Sequence, residues 1–472
     1  MALGILIVVF LISRLVNLTL LPIFADEAIY IRWTQLINQG HLFVPLSDGK
    51  TPLFMWLLAP LLWVIKDPLL AGRLLSVASG LATLLGVYFL AKKLFSLKIA
   101  VISSLLVIIS PFLLFYDRIS LTDSLLTALT LWSFYVTYQL FNRPSLKLGA
   151  ILGLLAGMVL LTKPSGLLFL LLNVALVLLF PFKKIKSFIK PGILAILISL
   201  GLYNCLRLSG SFPLISSRSA DYLRSRQEIL QHLFQYFLPT AQVFFSWLVS
   251  YFSWPALVLI IISLLLAIKN KTKITVILFV WSLLPVLVQI SIGKIIYPRY
   301  LLPIVPFLLI ICSWGITKFN KFVWLLGILF LFYWLRFDWL LLTNPIKAPL
   351  DPWERGQYLE EWSSGYGLKE IRNYLNNLPK DQSVVVATEG SFGTLPNGLE
   401  IYFNHSSNVQ ILGVGFPSKT VSPGMEQALA AGKKVYLVVN FHRYNLSDIQ
   451  RLKLISEYPR PGGEKLMFYE VH

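Results

Sequence analysis

"LPIFADEAIYIRW", residues 21–33, closes an apolar run that reaches back to residue 3 and places Asp26 and Glu27 directly behind it. Further apolar runs lie at about 71–91, 99–115, 122–141, 148–162, 166–181, 191–207, 243–268, 274–292, 301–317 and 322–342. Each is long enough to approach or span a hydrocarbon core of ~30 Å. A mean hydropathy of +0.72, with 56% hydrophobic and 13% charged residues, excludes an ordinary soluble protein. The chain therefore reads as a polytopic α-helical membrane protein of about 11 transmembrane helices. The fifth and sixth runs are short and are separated by "TKPS" (162–165), which gives two spans in a tight hairpin or one re-entrant pair. The first run has no basic residues before it, carries Arg14 in its middle and ends in a poor cleavage site, so it reads as an uncleaved helix.

Charge divides the chain. Residues 343–472 hold thirteen Lys/Arg and thirteen Asp/Glu, so the rest holds 41 − 13 = 28 basic and 22 − 13 = 9 acidic groups and carries the whole net charge of +19. Nucleic acid is not needed to explain it. One set of alternate loops contains Lys92, Lys93, Lys98, Arg143, Lys147, Lys183, Lys184, Lys186, Lys190, Lys269, Lys271, Lys273, Lys318 and Lys321 and no acid, which marks it as cytoplasmic. The other set carries Asp26, Glu27, Asp48, Asp67, Asp117, Asp123, Asp221 and Glu228 and faces out. The N-terminus is then cytoplasmic and, with an odd number of spans, residues 343–472 are extracytoplasmic.

Two domains are expected: a transmembrane domain over 1–342, with outer-face loop helices within 26–66 and 208–242, and an extracytoplasmic α/β domain over 343–472. Apolar residues at Ile29, Trp33, Leu36 and Ile37 give residues 26–39 a helical stripe, stopped by Gly40, and the helix lies in the interface. "LFMWLLAPLLWVI" (53–65) is too short to span comfortably and is broken by Pro60. "SADYLRSRQEILQHLFQYF" (219–237) predicts a surface helix capped by Ser219. Beyond residue 366 the pattern predicts helix 366–377, strands 383–388 and 409–415, helix 425–431, strand 435–440, helix 446–456 and strand 466–471, a small open sheet with helices. Cys205 and Cys312 fall in predicted spans and form neither a disulfide framework nor a metal site. His41, His232, His405 and His442 show no ligand spacing, and the triplets at 404 and 445 match a glycosylation acceptor only as short patterns.

The polar residues at the outer boundary each have an ordinary explanation. Asp26 and Glu27 open a helix, where acids gain a few tenths to about one kcal/mol from the dipole. Ser120 and Asp123 have capping-box spacing, and Arg118 has Asp117 or Asp123 as a surface partner. Lys50 and Lys163 fit solvated or snorkelling lysines, and Arg299, Tyr297 and Tyr300 fit interface anchors. Arg14, deep in the first run, has to face protein or snorkel. What argues for chemistry is the set: Asp26, Glu27 and Asp123 with Lys50, Lys163 and Arg299, all expected at one membrane face. Carboxylates can take a proton from a hydroxyl, and Lys and Arg can hold a phosphate that leaves with growing negative charge.

"RLVNLTLLPIFADEAIYIRW" (14–33), "DGKTPLFMWL" (48–57), "AGRLLSVASGLATLLGVYFLAKKLF" (71–95), "YDRISLTDSLL" (116–126), "LTKPSGL" (161–167) and "YPRYLLP" (297–303) together resemble the GT-C glycosyltransferases. The branch they resemble contains protein O-mannosyltransferases, aminoarabinose-lipid A transferases and the RgtA/B/C/D-like group. The resemblance covers about residues 10–310. It implies a metal-independent or loosely metal-assisted inverting transfer, with a divalent metal left open. The sugar leaves a polyprenyl phosphate for a hydroxyl on a protein, lipid or glycan at the outer face of the cell membrane. In that reading Asp26 is the general base, Glu27 and Asp123 orient the reactants, Lys50 and Arg299 with Lys163 hold the donor phosphate, and Arg118 and Tyr300 contact substrate. Two other classes stay open: a transporter or flippase of a lipid-linked sugar, which would show repeats and a site near the midplane, and a non-enzymatic scaffold working through residues 343–472.

Overall fold

The computed structural model describes residues 1–174, 176, 182–318, 321–417, 421–443 and 449–472, without the side chains of 182–185, 233 and 321–325. The triplet at 445 and parts of the expected 166–181 span and 446–456 helix lie outside the described residues. The chain forms two compact units. The first comprises Met1–Asn17, Leu42–Leu57 and Arg73–Pro349, and the second Leu18–His41, Leu58–Gly72 and Leu350–His472. The division expected at 342/343 falls at 349/350, and two early segments group with the later part of the chain.

The first unit is helical. Among the described residues six helices are long and apolar enough to cross a membrane: Pro68–Leu94, Lys186–Leu208, Phe234–Lys269, Lys273–Ile292, Pro298–Ile316 and Leu326–Thr343. Shorter apolar helices include Ala2–Leu15, Leu97–Ile108 and Leu146–Thr162, so the expected eleven spans stand here as six long helices and a set of shorter ones. The first helix stops at Leu15, well before residue 23, with Asn17 at a positive φ of 51°. Arg14 there is fully buried and faces protein: it pairs with Asp117 at 3.3 Å and donates to the carbonyl oxygens of Ile108 at 2.5 Å and Val107 at 3.0 Å.

Helix Leu146–Thr162 carries glycines at every fourth position, 149, 153 and 157, and a Cβ on them would come within 2.5 Å of Pro191, 2.8 Å of Ala195 and 2.5 Å of Leu202. Small residues let the two helices pack backbone to backbone, the contact that drives association in lipid. Trp281 is buried, its ring 4.0 Å from that of Phe307 and its indole N–H donating to Asn173 at 3.1 Å. The surface helix expected to begin at Ser219 divides instead: Leu214–Tyr222 ends, and a new helix starts at Arg226 with Ser225 as N-cap and Glu228 returning the bond to the Ser225 N–H at 2.7 Å. Helix Thr122–Asn142 is capped by Leu121, so Ser120 and Asp123 are not its capping box.

The second unit holds a sheet of β1 (Val384–Thr388), β2 (Val409–Gly413), β3 (Lys434–Asn440), β4 (Leu452–Pro459) and β5 (Lys465–Val471), in the order β2-β1-β3-β5-β4. β1 runs parallel to β2 and β3, and β5 is antiparallel to β3 and β4. One face buries Val385, Ala387, Leu437 and Val439 against Met425 and Ala428 of helix Pro423–Ala430. On the other, Tyr374 of helix Leu368–Asn376 meets the rings of Tyr436 and Phe468. A sheet covered on both faces reads as continuous apolar runs, which is why β1 and β3 are visible in sequence. Residues 452–456, expected as the end of a helix, are the start of β4. Helix Ala25–Asn38 also belongs to this unit, as does the short helix Leu61–Val64 beyond Pro60.

Candidate functional site

In the first unit three loops converge. "DGKTP" begins as the end of a 3-10 helix, Val44–Asp48, closed by Gly49 at φ 69°. A Cβ there would meet Arg218 Cβ at 2.7 Å and the Leu214 carbonyl oxygen at 2.8 Å, so glycine is required both by conformation and by space. Asp48 pairs with Arg218 at 2.7 Å, which fixes the turn, and Lys50 leaves it to donate to the Tyr222 hydroxyl at 3.0 Å. Tyr222 is held in turn by the loop before Arg299: its carbonyl oxygen accepts from the Lys294 N–H at 2.8 Å, beside a bridge between Leu223 and Gly293.

Lys163 follows helix Leu146–Thr162 in an extended conformation, as the proline after it demands. Its ammonium lies 2.8 Å from Asp123 Oδ1 and 4.4 Å from the centre of the Tyr300 ring. Asp123 is 3% exposed, in the first turn of Thr122–Asn142. Burial pulls the Lys163 ammonium below the ordinary lysine range, Asp123 resists, and Arg299 and Lys50 add to the pull. Arg299 stacks on Tyr297 at 4.5 Å, and Tyr300 lies in electrostatic range of Arg299, Asp123 and Tyr222. Lys50, Lys163, Arg299, Asp123 and Tyr300 are thus brought together. Within this group three cations stand beside one carboxylate.

Asp26 and Glu27 sit in the second unit, at the start of Ala25–Asn38. Glu27 is fully buried and accepts the Phe24 N–H at 3.0 Å, the return half of a capping box; Asp26 is half-buried. The turn carrying them is fixed from residues 363–365: Ala25 N–H donates to the Ser363 carbonyl oxygen at 3.1 Å, Gly365 N–H to that of Ile23 at 2.8 Å, and Phe24 bridges Ser364. A Cβ on Gly365 would come within 2.4 Å of Ile23. Arg460, 4% exposed, donates to the Ser364 carbonyl oxygen at 3.1 Å from behind; burial lowers its pKa to about 10.

Arg118 is 3% exposed and caps the first helix, donating to the carbonyl oxygens of Arg14 and Val16, each at 2.7 Å, and of Asn17 at 2.8 Å. Those contacts account for where it points without any substrate. Tyr222 and the 363–365 turn were not singled out by sequence: the first is an ordinary tyrosine in a polar loop, and the second acts through backbone atoms. Among the described residues no group of three or more His, Cys, Asp or Glu is placed to hold a metal ion.

Residues 49–204 match the family model described as dolichyl-phosphate-mannose-protein mannosyltransferase. No curated protein is similar in sequence. Among solved structures, ArnT from Cupriavidus metallidurans in the apo state is 12% identical with a TM-score of 0.62, the similarity covering 99% of this chain and 97% of that one. The same enzyme bound to undecaprenyl phosphate is 13% identical with a TM-score of 0.58, over the same shares. The archaeal oligosaccharyltransferase AglB from Archaeoglobus fulgidus, in complex with an inhibitory peptide and a dolichol-phosphate, is 11% identical with a TM-score of 0.53, over 93% of this chain and 69% of that one. The matched stretch thus ties residues 49–204 to that family, and over nearly its whole length the chain shares the fold of ArnT.

Proposed function

We propose that this protein moves a sugar from a polyprenyl-phosphate donor to a hydroxyl of a protein, lipid or glycan at the outer face of the membrane, with inversion. The observation that carries the reading is the gathering of Lys50, Lys163 and Arg299 around Asp123. A donor phosphodiester carries one negative charge. When the bond between the sugar's anomeric carbon and the phosphate oxygen breaks, the departing monoester takes a second. Cations held at the phosphate favour the more negative departing form over the bound donor, and stabilisation that grows along the reaction is what accelerates it. No separate acid is needed at the leaving oxygen.

On the acceptor side, Asp26 takes the hydroxyl proton while the acceptor oxygen bonds to the anomeric carbon from the face opposite the phosphate. Glu27 holds the turn that presents Asp26, and Asp123 keeps Lys163 in place. Tyr300 lines the phosphate site. The basic loops named above face the cytoplasm, and residues 350–472 lie outside.

The test is turnover of a polyprenyl-phosphate sugar by the purified protein. Asp26→Asn removes the base with little change of volume, so transfer falls by roughly two to four orders of magnitude while the protein stays folded and still binds undecaprenyl phosphate. Undiminished turnover by that variant refutes the role. Sugar moving across sealed vesicles without a new glycosidic bond would favour the transporter instead.

A further inference from the structure

The second unit contains a cleft of about 730 Å³ that no step above uses. Its walls come from the last turn of helix Ala25–Asn38, residues 62–68, residues 372–380 and residues 401–409. Direct bonds tie these stretches together. Gln35 donates to the Ile401 carbonyl oxygen at 2.7 Å, Arg32 pairs with Glu400 at 3.1 Å, Arg372 pairs with Asp67 at 3.4 Å, and Asn38 donates to the Ala59 carbonyl oxygen at 3.1 Å. A cleft held open by its own bonds costs a ligand little ordering.

Its chemistry is specific. Six amide side chains line it, Gln35, Asn38, Gln39, Asn376, Asn404 and Asn408. Gln35 and Asn38 each spend an N–H on the cleft wall and Asn404 Oδ1 accepts from Arg32 and Gln39; an amide has two N–H donors and an acceptor oxygen on one planar group, so the groups left over in the set can meet the neighbouring hydroxyls of a sugar ring. Trp63, also in the lining, is 76% exposed, and its indole gives a flat apolar face for the C–H side of such a ring. Lys66, Arg372 and Lys380 are in the lining as well, Arg372 paired with Asp67 behind it, and among the described residues that line it there is no Asp or Glu. Arg372 stacks on Tyr402 at 4.1 Å, which fixes one of the three charges.

We infer that this cleft binds an anionic carbohydrate, one carrying carboxylate or phosphate groups on a hydroxyl-rich scaffold. Resting on the transfer reading above, this names the class of the acceptor. The amides select a sugar, the cations select its charge, and Trp63 holds the ring at the rim.

The experiment measures direct binding to the purified full-length protein in uncharged detergent micelles, with trigalacturonate, maltotriose and glycerophosphoglycerol as probes. Trigalacturonate is expected to bind at least roughly tenfold tighter than uncharged maltotriose. The double variant Lys66→Gln/Lys380→Gln, altered at two exposed positions, is expected to erase that difference, and Trp63→Ala to weaken both sugars by a similar factor. Equal affinity for the two sugars in the unaltered protein, or unaltered binding in both variants, overturns the inference. Tighter binding of glycerophosphoglycerol than of trigalacturonate assigns the cleft to a lipid headgroup and overturns it too. Binding is read without turnover. Trigalacturonate bound by a protein that transfers no sugar therefore fails the transfer reading alone, and transfer without such binding fails the cleft alone.

Discussion

Arg14 and Asp117 show what a single buried pair does in this protein. Neither is more than 3% exposed at the side chain, and Ser124 adds a hydrogen bond to Asp117 at 3.1 Å. Removing one partner of such a pair leaves a charge with no water to solvate it, at a cost of about 3–5 kcal/mol. Arg14→Leu is therefore expected to lower the melting temperature in detergent sharply, and an unchanged melt contradicts the structural role. Gly80→Ala reaches the same pair sterically, because a Cβ at position 80 would lie 2.4 Å from Asp117 Cγ. Lys163 gives a prediction in pH. Its pKa lies below the ordinary lysine value, chiefly through burial, so the ammonium is lost at a lower pH than from an exposed lysine. Affinity for undecaprenyl phosphate should accordingly fall as pH rises into the alkaline range. Lys163→Arg, whose charge persists, should move that fall upward, as a titration of binding against pH would record.

Among elements, the turn carrying Lys50 depends on Gly49. Gly49→Ala has to place a side chain at φ 69° against Arg218, a strain of order 1–3 kcal/mol. It should weaken undecaprenyl phosphate binding while leaving the sheet of the second unit, read by circular dichroism, in place. The elements also show what a sequence can and cannot disclose. β1 and β3 are legible because both faces are covered and every position wants an apolar residue. β4 is an edge strand whose side chains are mostly half-exposed or exposed; "LKLISEYP" carries no buried run, and its apolar spacing passes for a helix. The end of the first helix was hidden for another reason: the residue that caps it, Arg118, lies about a hundred positions away. Lys50, Lys163 and Arg299 could be picked out because each falls on the acid-bearing face within a stretch that resembles the GT-C glycosyltransferases. Tyr222 and residues 363–365 could not, since a hydroxyl in a polar loop and a backbone carbonyl leave no compositional trace.

For the molecule as a whole, the unequal loops make a prediction about sidedness. Each cysteine already present is at least partly buried, so new ones report cleanly. In intact cells, a cysteine at Lys380 is expected to react with a membrane-impermeant maleimide and one at Lys271 is not; the reverse result inverts the orientation.

The second unit is drawn from residues 18–41, 58–72 and 350–472, and the turn that presents Asp26 is fastened to Ser363 and Gly365. Synthesis delivers these partners more than three hundred residues apart, so the early segments must wait, unfastened, until translation has nearly run its course. A truncated product would keep its greasy helices yet never finish that turn. On the proposed role of Asp26, the late arrival of its own scaffolding would keep a half-made chain silent.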